Sequence, residues 1–147
     1  MDIKDTLNDL FVELFRDISH LEERQLKIGE FSNLTINDIH VIHAIGKDHS
    51  ISMTNLAKAL DITVGTLTIS VNGLLKKGYV NRTRFEEDRR VVLISLTASG
   101  MRAYDEHANF HRNMINQITM QLSDEEEKNL EKTLRNLKTF FDDLRGK

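Results

Sequence analysis

The segment Ser52–Leu96, SMTNLAKALDITVGTLTISVNGLLKKGYVNRTRFEEDRRVVLISL, carries the reading on which the fold turns. Ser52 can cap a short helix whose Leu56, Ala57 and Leu60 face inward, and a second helix begins at Thr63 and stops at Gly78. Only the tight Asp61-Ile62 turn separates the two, a spacing that fits a helix-turn-helix, whose second helix normally enters a DNA major groove. After Gly78, YVNRTR and VVLISL are β-branched and apolar enough for two short strands, and FEEDRR between them makes a charged hairpin tip. A helix-turn-helix followed by such a hairpin is a winged helix.

Outward from that segment the pattern is helical. On the N-terminal side, LTINDIHVIHAIG offers Thr35 as a cap, Ile39, Ile42 and Ile45 on one face, and Gly46 as a stop. Earlier still, Ile3, Leu7, Leu10, Leu14, Ile18 and Leu21 recur at spacings of four and three, widened by Phe11 and Phe15. On the C-terminal side Thr97 can cap a long helix reaching about Gln121, in which Gly100 sits early enough for its helix penalty to be tolerable. Ser123 with Glu126 forms a capping-box signature ahead of Leu130, Leu134, Leu137, Phe141 and Leu144. Both terminal helices carry seams like those of coiled coils, and such a seam requires a partner helix, so a homodimer is expected. The expected fold is mainly α with a small β-hairpin wing: dimerisation elements at 1–34 and 98–147 enclosing a winged helix-turn-helix at 35–97, all in a single domain.

Composition narrows the function. The 147 residues suit one folding unit, and the absence of cysteine excludes disulfides, thiolate metal sites and a thiol nucleophile. No signal-peptide pattern or bilayer-length apolar run is evident, so a cytoplasmic protein, working at the nucleoid, is expected. The net charge of -3 hides an uneven distribution: residues 1–46 carry -5, 47–90 carry +3 and 101–147 carry -1. The basic part coincides with the winged helix. An enzyme is disfavoured, since there is no glycine-rich phosphate loop and no Gly-x-Ser-x-Gly elbow, and the acids of SDEEE suit a helix start. A protein adaptor using the charged hairpin against acidic partners is the other class to exclude.

On the second helix Leu67, Val71, Leu74 and Leu75 form the inward stripe, which leaves Thr63, Gly65, Thr66, Thr68, Ile69, Asn72 and Lys76 outward. Threonine hydroxyls can bond phosphates or base edges, asparagine can pair bidentately with adenine, and an exposed isoleucine suits thymine methyls. Thr68, Ile69 and Asn72 are the candidate base readers; the alternative is an ordinary solvated helix face. The hairpin arginines can enter a minor groove narrowed by A·T-rich sequence. Two such subunits would meet a pseudo-palindromic operator with half-site centres about 10 bp apart.

The stretch LAKALDITVGTLTISVNGLLKKGYVNRTRFEEDRRVVLISLTASG resembles the MarR family of bacterial transcriptional regulators, including its Asp-Arg-Arg wing and the following Leu-Thr-x-x-Gly. The resemblance extends over nearly the whole chain. Within the family, GKDHSISMTNLAKAL, TVGTLTISVNGLLKKGYV and EEDRRVV are similar to the FabT-type repressors of fatty-acid synthesis genes. The family resemblance implies that Arg90 reads the minor groove, oriented by Asp88, with Arg82, Arg84 and Arg89 on phosphates. The subgroup resemblance implies a long-chain acyl group on acyl carrier protein as corepressor, with no other cofactor required. Phe11, Phe15, Leu26, Ile28, Phe31, Ile39, Ile42 and Phe110 could line an acyl tunnel or be plain core, and Arg16, Arg24, Lys27 or Arg112 could meet the acidic carrier.

Some members of the family sense zinc through histidines. His107 and His111 stand four apart on one predicted helix, with His40 on another that could approach them. The position aligned with the zinc glutamate of those members is Gln25, a poor ligand, although Glu22 and Glu23 lie nearby. The competing reading places these histidines within the core or at its rim.

Overall fold

The computed structural model describes residues 2–146 as nine elements. In chain order they are α1 (Ile3–Ile28), α2 (Ile36–Ile45), β1 (Ser50–Ser52), α3 (Met53–Leu60), α4 (Val64–Lys77), β2 (Val80–Arg84), β3 (Val92–Leu96), α5 (Ala98–Thr119) and α6 (Asp124–Arg145). The described chain forms two compact units, one up to Ala108 and one from Asn109. No helix among the described residues is long and apolar enough to cross a membrane.

The first unit is built on α2. Thr35 caps it, and the cap is a full capping box: the Thr35 hydroxyl accepts from the Asp38 amide, while Asp38 Oδ2 accepts from the Thr35 amide at 3.0 Å. The same Asp38 oxygen takes Lys77 Nζ at 2.9 Å, tying the start of α2 to the end of α4. Asp38 was not legible as this junction, because its capping partner is local but its lysine lies 39 residues away. Ile39, Ile42 and Ile45 are fully buried and pack with Leu56, Leu67, Val71 and Leu74 of the predicted inward helix faces, and with Ile94, which β3 adds. At about 1.5–3 kcal/mol for each large aliphatic side chain, that burial is the main term favouring this unit.

The turn between α3 and α4 is as tight as the sequence predicts. Asp61 takes the left-handed conformation (φ 55°) and Thr63 caps α4, its hydroxyl accepting from the Thr66 amide. Gly78 ends α4 at φ 83°, where only glycine is unstrained, and the chain turns straight into β2. The two predicted strands pair antiparallel with Val80 opposite Leu96 and Arg84 opposite Val92. The sequence does not foretell β1, three residues that pair with the other side of β3 to give the order β1-β3-β2. A strand that short has no periodicity to read.

Thr97 starts α5 as expected, its hydroxyl accepting from the Gly100 amide at 3.1 Å. Gly100, however, is more than a tolerated glycine. A Cβ there would run into the backbone carbonyl of Tyr79, so the bare backbone lets α5 leave the wing at close range. The second unit contains α6, whose Ser123–Glu126 capping box is present in full. Its apolar seam is uncovered, with Leu134 at 52% and Phe141 at 52% exposure. The stripe on α1 is open too, Phe15 reaching 73%.

Candidate nucleic-acid interface

A concave cleft of about 680 Å³ lies between the start of α3, the start of α4 and the hairpin β2–β3. Val64 and Thr68 line it from α4, and Arg82, Arg84 and Arg90 from the wing. Arg82 and Arg84 are two apart on one strand and so project to the same face, which is how a five-residue strand delivers two cations to one wall. Val91 and Val92 line it as well, and Ser52, Met53 and Thr54 complete the lining. These three were missed as site residues because Ser52 already had a local role as the α3 cap, and only the three-stranded sheet brings that helix start against the wing.

The four wing arginines differ in their surroundings. Arg90 is held by Asp88: Nε donates to Oδ1 at 3.0 Å, Nη2 to Oδ2 at 3.0 Å, and the Arg90 amide to Oδ1 at 3.1 Å. This bidentate pair holds the Asp88 carboxyl below the usual carboxylate range and raises the already high guanidinium value. Arg84 turns inward to donate to the Arg89 carbonyl at 2.9 Å, bracing the tip that carries Arg90. Arg82 reaches α4 and donates to Asn72 Oδ1 at 3.2 Å. Arg89 presents an exposed side chain beside them, as do Glu86 and Glu87.

On α4 the predicted outward residues are outward, with differences among them. Ile69 is 76% exposed, an unusual position for an isoleucine without a partner. Thr68 is half-buried and its hydroxyl donates to the Val64 carbonyl at 2.8 Å, leaving only acceptor capacity toward the outside. Thr63 is used by the cap and also donates to Thr66 Oγ1 at 3.0 Å. Thr66, Asn72 and Lys76 are exposed.

The eight apolar residues considered for a tunnel do not share one environment. Leu26, Phe31, Ile39 and Ile42 belong to the packed core of the first unit. Phe11, Phe15 and Ile28 are exposed on α1, Ile28 at 81%, and Phe110 lies in the second unit, half-buried. A cavity of about 290 Å³ between the end of α1 and the start of α2 includes Leu26 of the eight, with Leu34, Ile36 and Lys27. Arg16, Arg24, Lys27 and Arg112 are exposed.

Of the histidines, His40 stands with Nε2 3.9 Å from Oε2 of Glu22, which is itself only 6% exposed. His107 is buried and meets His43 edge to face at 4.7 Å between ring centroids. His111 belongs to the second unit, its ring against Phe110. Gln25, half-buried, stands one helical turn from Glu22.

A helix-turn-helix with a basic wing, joined to helices with uncovered apolar seams, defines a winged-helix DNA-binding regulator. The chain belongs to the MarR family, whose model matches residues 34–92. It is 31% identical over 137 residues to the HTH-type transcriptional repressor YetL of Bacillus subtilis, covering 88% of this chain and 78% of that protein. It is 33% identical to the HTH-type transcriptional regulator SarZ of Staphylococcus saprophyticus, over 71% of this chain and 70% of that one. Among solved structures, Streptococcus pneumoniae FabT in complex with DNA superposes with a TM-score of 0.92 at 35% identity, covering 96% of this chain and 99% of FabT. The chain is accordingly a DNA-binding transcriptional regulator and not an enzyme.

Proposed function

We propose that this protein is a repressor that grips a pseudo-palindromic, A·T-rich operator as a homodimer, with α4 in the major groove and the wing in the adjoining minor groove. The observation that carries this reading is the Asp88–Arg90 brace at the hairpin tip, which presents a pre-oriented guanidinium beside a cleft that two further arginines line. Narrow A·T-rich minor grooves attract such a cation. Arg89 holds phosphate, and Thr63, Thr66 and Lys76 flank the base-reading Thr68, Ile69 and Asn72.

The resemblance to FabT-type repressors implies control of fatty-acid synthesis genes with a long-chain acyl group on acyl carrier protein as corepressor, and likeness to Streptococcus pneumoniae FabT in complex with DNA over almost the full length supports the DNA-binding part of that reading. Filling an apolar space can favour the dimer geometry whose recognition helices match the groove spacing, limited by the ligand's difference in affinity between geometries. The protein then works in the cytoplasm at the nucleoid. A second reading, zinc response, draws on the buried Glu22 carboxylate facing His40, which supplies the acid that Gln25 lacks.

A gel shift with the chain's own upstream DNA and with fatty-acid-synthesis promoter DNA separates these readings. Long-chain acyl carrier protein is expected to tighten binding, with zinc and chelator without effect. Tightening by zinc with no response to the acylated carrier would reverse the ranking.

A further inference from the structure

The bond from Arg82 Nη1 to Asn72 Oδ1 joins the wing to the candidate base-reading face of α4 across ten residues of sequence. Both residues are exposed, and among the described residues Arg82 makes no ion pair, so this bond is what holds its side chain. Arginine has only donors. The amide atom that faces it must therefore be the oxygen, and the amide nitrogen must take the other side. A free asparagine on a helix surface can rotate its amide half a turn and offer either a donor or an acceptor to the same base edge. One bonded to Arg82 cannot do so without leaving a guanidinium hydrogen opposite its own NH2 group.

We propose that Arg82 is a positioning residue for base readout: it locks the Asn72 amide so that this side chain presents one fixed order of donor and acceptor to the major groove. This rests on the reading of α4 as the groove helix and goes beyond it, because it moves Arg82 from phosphate holding to specificity. Each major-groove base edge is a distinct pattern of donors and acceptors, so an amide held one way discriminates among them more sharply than an amide free to flip. The arrangement also makes the wing and the recognition helix interdependent, since a displaced β2 would release Asn72.

The test is a base-pair scan of a duplex selected by the wild-type chain from a randomised DNA library. Affinities are measured for the wild type and for Arg82→Met, Asn72→Ala, the double variant and Asn72→Asp, with thermal melts as a check of folding. The wild type is expected to prefer one base pair by about tenfold at a single half-site position that Asn72→Ala makes indifferent. Arg82→Met should lower that preference to below about threefold while leaving discrimination at the other positions within about twofold, and the double variant should look like Asn72→Ala. Asn72→Asp retains a partner for Arg82 and leaves the wing intact, but offers acceptors only. It should move the preference at that position to cytosine, whose edge donates. If Arg82→Met weakens binding equally to every duplex with the preference intact, Arg82 is a phosphate contact and the proposal fails. An unchanged preference in Asn72→Asp would overturn it independently. If Asn72→Ala keeps the wild-type profile at every position, the reading of Asn72 as a base reader fails with it.

Discussion

Asp88 illustrates how much a single side chain at the wing tip is asked to do. It accepts from the backbone and from Nε and Nη2 along one edge of the Arg90 guanidinium, and both groups are open to water, so the pair orients more than it stabilises. The Asp88 carboxyl sits below its ordinary value because Arg90 favours the charged form. A depressed carboxylate contributes above its free-chain value and loses that contribution only as pH falls through the lower, paired value. Asp88→Asn is therefore expected to weaken operator binding by the same factor at pH 5.5 and pH 8, measured by fluorescence anisotropy. A penalty that disappears at pH 5.5 would mean that Asp88 is already protonated there. Asp88 and Arg90 were both legible through the Asp-Arg-Arg motif. The different tasks of Arg82 and Arg84 were not, because strand alternation places both on one face without saying which acceptor each will meet.

At the scale of elements, caps and stops carried most of the legible information. Thr35, Ser52, Thr63, Thr97 and Ser123 each begin a helix where a hydroxyl precedes an apolar period. Ser123→Ala should cost about 1 kcal/mol of stability in urea denaturation, since it removes half of a reciprocal cap. Long-range approaches left weaker traces. Gly100 read as a harmless early glycine, yet it faces the Tyr79 carbonyl that already accepts from the Thr97 amide at 3.0 Å. Gly100→Ala is expected to destabilise by at least about 1–3 kcal/mol, an overpacking cost, although alanine is the better helix former. A more stable Gly100→Ala would show that the junction of β3 and α5 is looser than this packing requires. A tunnel is illegible for another reason: an apolar side chain lining a cavity and one filling a core occupy the same periodic positions, and Leu26 and Phe15, both on α1, differ chiefly in what folding brings to them.

For the molecule as a whole, the apolar stripes on α1 and α6 stand open among the described residues. Ile3 at 66%, Phe15 at 73% and Leu144 at 53% exposure are poorly suited to water as single, isolated choices, and each belongs to a helical period. Replacing Leu134 and Phe141 by glutamate should give a monomer in sedimentation velocity and lose operator binding, because one half-site alone provides too little contact. Dimeric binding also predicts a steep salt dependence. With arginines from two wings near phosphates, affinity should fall by roughly a thousandfold between 50 and 200 mM salt. The mild overall charge of -3 conceals this, as residues 47–90 carry a net +3 while the first 46 residues carry -5.

The most direct measurement is the affinity of Arg90→Ala for operator DNA, set beside the wild type and a scrambled duplex. The Arg90 side chain is 91% exposed, so its removal should leave the melting temperature and the dimer unchanged. The wild type is expected to hold operator and not scrambled DNA, and the folded Arg90→Ala dimer to show no specific binding. Tight, operator-selective binding by that folded variant would contradict the assignment of the wing.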